Sequence, residues 1–154
     1  QDIGVSVREA KAYIDSYLEK YHGVREYMER TKSDAKKNGY VTTMMHRIRY
    51  IPELKSSNYN IRSFGERAAM NTTVKGSAAD IIKLAMVKVY DRLKKEGLKS
   101  KLILQVHDEL IVEAPKNEVE EVKKILKEEM ENAVSLKVPL TVDMSTGHSW
   151  YEAK

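Results

Sequence analysis

Apolar and polar positions along the chain change period several times, and each change marks an element. Ser6 followed three residues later by Glu9 has the form of a capping box, so a helix is predicted to start near Val7. Ala10, Tyr13, Ile14, Tyr17, Leu18 and Tyr21 then share one helical stripe, which His22-Gly23 is expected to stop. Core packing already explains that aromatic spacing, without invoking a base-stacking platform. A second helix follows with Val24, Tyr27, Met28 and Thr31 inward, ending at Asn38-Gly39. Residues 40–51 are rich in β-branched and aromatic types and stop at Pro52. They read as a short hairpin or extended segment presenting His46, Arg47 and Arg49. A polar loop is expected over residues 53–60.

From Ile61 the helical signal returns, and Gly76 is predicted to interrupt it. The run over 77–95 is apolar nearly all round, through Ala78, Ala79, Ile81, Ile82, Leu84, Ala85, Met86, Val87 and Val89. That is the pattern of a central, buried helix. After Gly97 come two short apolar strands joined at a charged knuckle, His107-Asp108-Glu109. Leu102, Leu104 and Val106 are expected on one face, continued by Leu110 and Val112. Asn117 with Glu120 should cap a further helix striped by Val119, Val122, Leu126, Met130 and Ala133. Residues 138–144 read as a last strand, before Gly147 and Trp150-Tyr151. Helices beside a small antiparallel sheet predict an α+β fold.

The 154 residues suffice for one domain or a piece of a larger one. The 27 Lys and Arg against 23 Asp and Glu give a net charge of only +4, so the distribution is more informative than the total. Bases dominate residues 30–75, while acids gather from Glu118 to Glu131. The asymmetry suggests one face for a polyanion, although a solvated charged surface explains it more cheaply. The chain has no cysteine, which removes disulfides and thiolate metal sites and suits a reducing compartment. With no apolar run long enough to span a bilayer and nothing like a signal peptide, a soluble, cytoplasmic protein with no membrane partner is expected.

Two groups of residues could carry chemistry. Arg67 and Asn71 stand at i, i+4, with Lys75 one step further and Arg62 on a neighbouring angle. A row of donors can meet the acceptors that every base pair presents in the DNA minor groove, testing shape while ignoring sequence. On spacing alone an ordinary polar helix surface explains the row better. Asp108 and Glu109 are hard oxygen donors suited to Mg²⁺. A two-metal phosphoryl-transfer site needs carboxylates on both ions, and this hairpin can supply one side. Locally the knuckle is explained as well by a turn that is polar because turns usually are. His107 could meet a phosphate or a primer end, though a lone His is more often a plain strand residue. Metal phosphohydrolases would need further His and Asp ligands on helices, whereas His107-Asp108 is expected in a strand. No HExxH, Walker loop or dinucleotide fingerprint is present.

Along essentially its whole length the chain resembles the C-terminal part of the family A DNA polymerases. Gln105-Val-His107-Asp108-Glu109-Leu matches the family's third polymerase motif. Ser63-Phe-Gly-Glu66-Arg67-Ala-Ala-Met-Asn71-Thr and Gly76-Ser-Ala-Ala-Asp80-Ile-Ile match its preceding helices. His46-Arg-Ile-Arg-Tyr-Ile-Pro52 and Gly147-His-Ser-Trp150-Tyr match more loosely. The resemblance implies a fingers-like segment over 1–60 and a C-terminal palm-like segment over 61–154. It implies that Asp108 is one of two essential Mg²⁺-binding aspartates, with Glu109 an auxiliary carboxylate. Arg67 and Asn71 would contact the primer–template minor groove, and Gln105 and His107 would help seat the primer terminus. The reaction would be attack of a primer 3′-hydroxyl on the α-phosphate of a deoxynucleoside triphosphate.

There are departures from the family pattern. Lys75 stands where Gln is usual, and Thr73 where Pro is usual. Lys only donates, whereas Gln can also accept from a guanine amino group. Ile48 replaces an arginine of the family's basic triplet, which should cost affinity for the DNA backbone. The motif with the partner aspartate and the fingers helix that holds the incoming triphosphate are not found in these residues. The expectation is therefore part of a DNA polymerase, inactive alone, that meets deoxynucleotides only with the missing upstream part. The alternatives are a non-catalytic DNA-binding or structural module on the same palm elements, and an ordinary α+β domain. Exposed palm surface leaves self-association open.

Overall fold

The computed structural model describes residues 4–153 and divides the chain into two compact units, Gln1–Val74 and Lys75–Lys154. The architecture is α+β. In the first unit α1 (Val7–Lys20) opens on the expected capping box, with the Glu9 amide donating to Ser6 Oγ at 3.2 Å and the Ser6 amide to Glu9 Oε2 at 2.8 Å. The break before α2 (His22–Asn38) falls at Tyr21, so His22 and Gly23 begin α2 rather than stop α1. Gly39 closes α2 with a φ of 78°, where a residue without Cβ is unstrained.

The aromatic stripe of α1 does not build a core among the described residues. Tyr13, Ile14, Tyr17 and Tyr21 are 48–68% exposed, and no residue of α1 is buried. The core of this unit lies elsewhere, in Ala35, Val41, Ile51, Leu54 and Ala69. β1 (Tyr40–Thr42) and β2 (Ile48–Tyr50) form the expected hairpin, with Tyr40 opposite Tyr50 and their rings edge to face. The segment expected to be a polar loop instead begins with a 3₁₀ turn over Pro52–Lys55, whose proline is at home in a first turn. That turn packs close to the following helix. A Cβ on Gly65 would come within 3.1 Å of the Leu54 amide nitrogen and Glu53 Cβ, so only glycine allows this approach without a shift.

α3 (Tyr59–Lys95) is one helix of 37 residues and passes through Gly76 without a break. One glycine costs a helix only about 1 kcal/mol relative to alanine, and the segment contains no proline to remove a hydrogen bond. In the second unit its buried stripe is Ile82, Ala85, Val89 and Leu93, while Val87 and Tyr90 are about half exposed. The helix predicted to be buried on most faces is thus buried on one. β3 (Lys101–Val106) and β4 (Glu109–Glu113) pair antiparallel and lay Leu102, Leu110 and Val112 on the core of Val89, Leu93, Val122 and Ile125.

A 3₁₀ turn over Lys116–Glu118 leads into α4 (Val119–Glu131), so Glu118, not Asn117, occupies the N-cap position, and no side-chain hydrogen bond caps the helix. Ile125, absent from the expected stripe, is its fully buried residue. Lys88 Nζ donates to the Asn132 carbonyl at 2.8 Å and the Ala133 carbonyl at 3.2 Å, supplying a cation where the end of α4 has unpaired acceptors. Residues 138–144 form no strand. A strand needs a neighbour to pair with, and here the Val142 amide donates instead to the Glu131 carboxylate at 3.1 Å. No helix among the described residues is long and apolar enough to cross a membrane.

Candidate functional site

The hairpin tip is built by register. Val106 pairs with Glu109, which leaves His107 and Asp108 as a two-residue turn rather than strand residues. His107 has a φ of 50°. A positive φ at the first of two turn residues suits the right-handed twist of the flanking strands, and glycine is the residue that takes it freely. His107, Asp108 and Glu109 are all exposed. Two adjacent carboxylates at a solvated tip avoid the cost of burying charge.

A bulge changes which residues share a face. The register shifts between Leu102 and Leu104, so Ile103 is the extra residue on β3. Leu102 and Gln105 therefore lie on the face of Leu110 and Val112, while Leu104 and Val106 lie on the other face with Glu109 and Ile111. Strict alternation had placed Leu102, Leu104 and Val106 together. The consequence falls on Gln105, which is half-buried beside Leu110 and donates from Nε2 to the His107 carbonyl at 2.8 Å.

The base of the hairpin is held by a residue that spacing did not reveal. The Glu118 carboxylate accepts from the Lys99 amide at 3.1 Å, the Ser100 amide at 2.9 Å and Ser100 Oγ at 2.6 Å. The Ser100 hydroxyl first, and then the Lys99 amide, hold the carboxyl below its ordinary range. Eighteen residues separate the partners, so no local pattern announces the contact.

The donor row stands on α3, with Arg67, Asn71 and Lys75 all exposed. Arg67 Nη1 donates to Ser63 Oγ at 2.9 Å, one turn earlier, which lays the guanidinium along the helix. Arg62 turns to its own loop, donating to the Ser56 carbonyl at 2.9 Å, with the guanidinium carbon 5.8 Å from the centre of the Tyr59 ring. Arg49 Nη1 reaches Thr72 Oγ1 at 3.0 Å and ties β2 to α3 beside Asn71. Lys36 at 2.7 Å and Lys32 at 3.9 Å flank the Glu66 carboxylate, and the Lys36 hydrogen bond holds it below the usual carboxylate range. Arg62, Arg67 and Asn71 belong to the first unit; Lys75, Gln105, His107, Asp108 and Glu109 belong to the second.

No three His, Cys, Asp or Glu residues among the described ones converge on a metal-binding position. Asp108 and Glu109 are nevertheless a fitting partial donor set for Mg²⁺, which usually takes one or two protein carboxylates and fills the rest with water and substrate oxygens.

Comparison with known proteins covers the same elements. Residues 1–152 match the family described as DNA polymerase family A. The chain is 58% identical over all 154 residues to DNA polymerase I of Bacillus subtilis (strain 168) and 51% identical to that of Geobacillus stearothermophilus. It spans 18% of the length of each of these relatives. Among solved structures it is similar to the POL domain of Pol1 from M. smegmatis in complex with DNA primer-template and dNTP. That similarity has a TM-score of 0.95 at 44% identity, covering 99% of this chain and 27% of the other.

Proposed function

The chain belongs to DNA polymerase family A, and on that premise we propose that it supplies the end of the fingers and the C-terminal palm of a DNA-directed DNA polymerase. The observation that carries the reading is the exposed Asp108-Glu109 pair at a hairpin tip, within a chain that matches the family over residues 1–152. Residues 1–60 form the fingers part and 61–154 the palm part. Primer–template DNA and a deoxynucleoside triphosphate, named for the solved neighbour, are the partners inferred for the assembled enzyme.

Each residue then has a task. Asp108 is one of two metal-binding carboxylates and Glu109 assists beside it. When bound, Mg²⁺ would stabilise negative charge on the reacting phosphate and favour the primer 3′-hydroxyl as its alkoxide, the role metals play in two-metal transfer. Arg67, Asn71 and Lys75 donate to purine N3 and pyrimidine O2, acceptors present at every base pair, which gives sequence-independent grip. Arg62 holds the loop entering α3 and adds positive charge near phosphate. His107, exposed at the tip, helps seat the primer end, and Gln105 supports it through the hydrogen bond to the His107 carbonyl. The absence of cysteine and of a membrane-crossing helix among the described residues suits work in the cytoplasm.

The 154 residues contain one of the two aspartates and lack the triphosphate-binding fingers helix, so the chain alone is expected not to extend primers. The test adds an upstream polymerase segment that carries the partner aspartate and that helix. Restored template-dependent extension supports the reading. No restoration, with DNA binding intact, favours a non-catalytic DNA-binding module on the same elements.

A further inference from the structure

We infer that Gln105 is a positioning residue for the hairpin tip, acting on Asp108 through the His107 carbonyl; its bearing on catalysis rests on the function proposed above. His107 carries a φ of 50°, a left-handed conformation that a side chain with a Cβ adopts only at some cost. Glycine would occupy the position freely, so holding a histidine there requires a compensating contact nearby. The contact present is the Gln105 Nε2 hydrogen bond to the His107 carbonyl at 2.8 Å. That carbonyl belongs to the peptide linking His107 to Asp108. Fixing the plane of this peptide fixes the start of Asp108, and with it the direction in which its carboxylate leaves the backbone.

The register of the hairpin sets the surroundings of this donor. The two-residue turn sets Gln105 opposite Leu110, and with Ile103 as the extra residue the same face also carries Leu102 and Val112. There its stem is half-buried, so fewer rotamers compete with the one that reaches the tip. Without the bulge, Leu102 would lie on the other face of the strand, away from Gln105. One of its two amide hydrogens is committed to His107, leaving one hydrogen and the oxygen for any other partner. Gln105 thus does for the tip's peptide plane what a supporting group does for a metal ligand, aiming the carboxylate instead of touching substrate.

Two measurements separate this proposal from the functional reading beneath it. In the 154-residue chain, the ¹³Cα shift and the amide–Hα coupling of His107 report its left-handed conformation without DNA or metal. Gln105→Met keeps the length of the side chain and removes the donor. It should abolish or average that signature while the methyl shifts of Ile125 in the core stay in place. An unchanged His107 signature would overturn the proposal. In the chain combined with the upstream polymerase segment, Gln105→Met should lower kcat by about tenfold to a hundredfold, as a misplaced catalytic group does. The KM for primer–template should stay within about twofold, since the phosphate and groove contacts that set DNA affinity are untouched. A raised KM with unchanged kcat would identify a DNA contact and overturn the positioning role. If no extension appears with Gln105 in place, the functional reading fails, and the His107 measurement still decides the hydrogen bond.

Discussion

Glu118 and Ser100 meet at the base of the hairpin that carries Asp108 at its tip, the carboxylate accepting from the serine amide at 2.9 Å and its hydroxyl at 2.6 Å. The contact joins the turn leaving β4 to the chain entering β3. Its folded-state pKa is lowered by the Ser100 and Lys99 hydrogen bonds, so the stabilisation is fully present above the unfolded glutamate value of roughly 4.3. It is lost as pH falls through the lower folded value. Glu118→Ala should therefore be less stable than the parent in urea at pH 7, and the difference should shrink as pH falls below about 4. Equal differences at pH 7 and pH 3 would contradict the charged contact.

The two faces of α3 should respond differently to the same change. Val89 is completely buried, whereas Val87 is 52% exposed. Val89→Ala should cost about 2 kcal/mol, combining lost transfer energy with a cavity. Val87→Ala should stay within about 0.5 kcal/mol, as surface changes usually do. Urea unfolding of both variants checks this. Equal costs would mean that α3 is buried on both faces, as its composition alone suggested.

DNA affinity should be weak, independent of sequence and strongly dependent on salt. Each neutralised phosphate contributes a slope of about −0.9 in log affinity against log salt on duplex DNA. Arg67→Ala and Asn71→Ala should each weaken binding about equally on unrelated duplexes, because minor-groove acceptors recur at every base pair. Fluorescence anisotropy at several salt concentrations measures both effects. A strong site preference, or affinity unchanged in both variants, would count against the donor row.

Local rules found much of this fold. The Ser6–Glu9 box, the β1–β2 hairpin and the hairpin around the knuckle each follow from side-chain spacing within a few residues. What spacing could not show depended on partners. Tyr13 and Tyr17 have helical spacing, yet the described residues place no core against them. Residues 138–144 have strand composition, but no strand among the described residues pairs with them. Gly76 resembled a breaker, but a long helix absorbs one glycine. The bulge at Ile103 puts Gln105 on the same face as Leu102, and alternation cannot signal a bulge in advance. Asp108, Glu109, His107 and the donor row were all legible as residues. Their tasks came from the resemblance, because a polar turn and a polar helix face explain the same patterns.

The central claim is that Asp108 is one of two metal-binding carboxylates of a polymerase, and its most direct test is primer extension by the chain combined with an upstream segment carrying the other. Extension should appear only with both parts and Mg²⁺ present. Asp108→Ala should abolish it while leaving salt-dependent DNA binding within about twofold, since the carboxylate neutralises no phosphate. Extension that persists in Asp108→Ala, or that the 154-residue chain performs alone, would contradict the account.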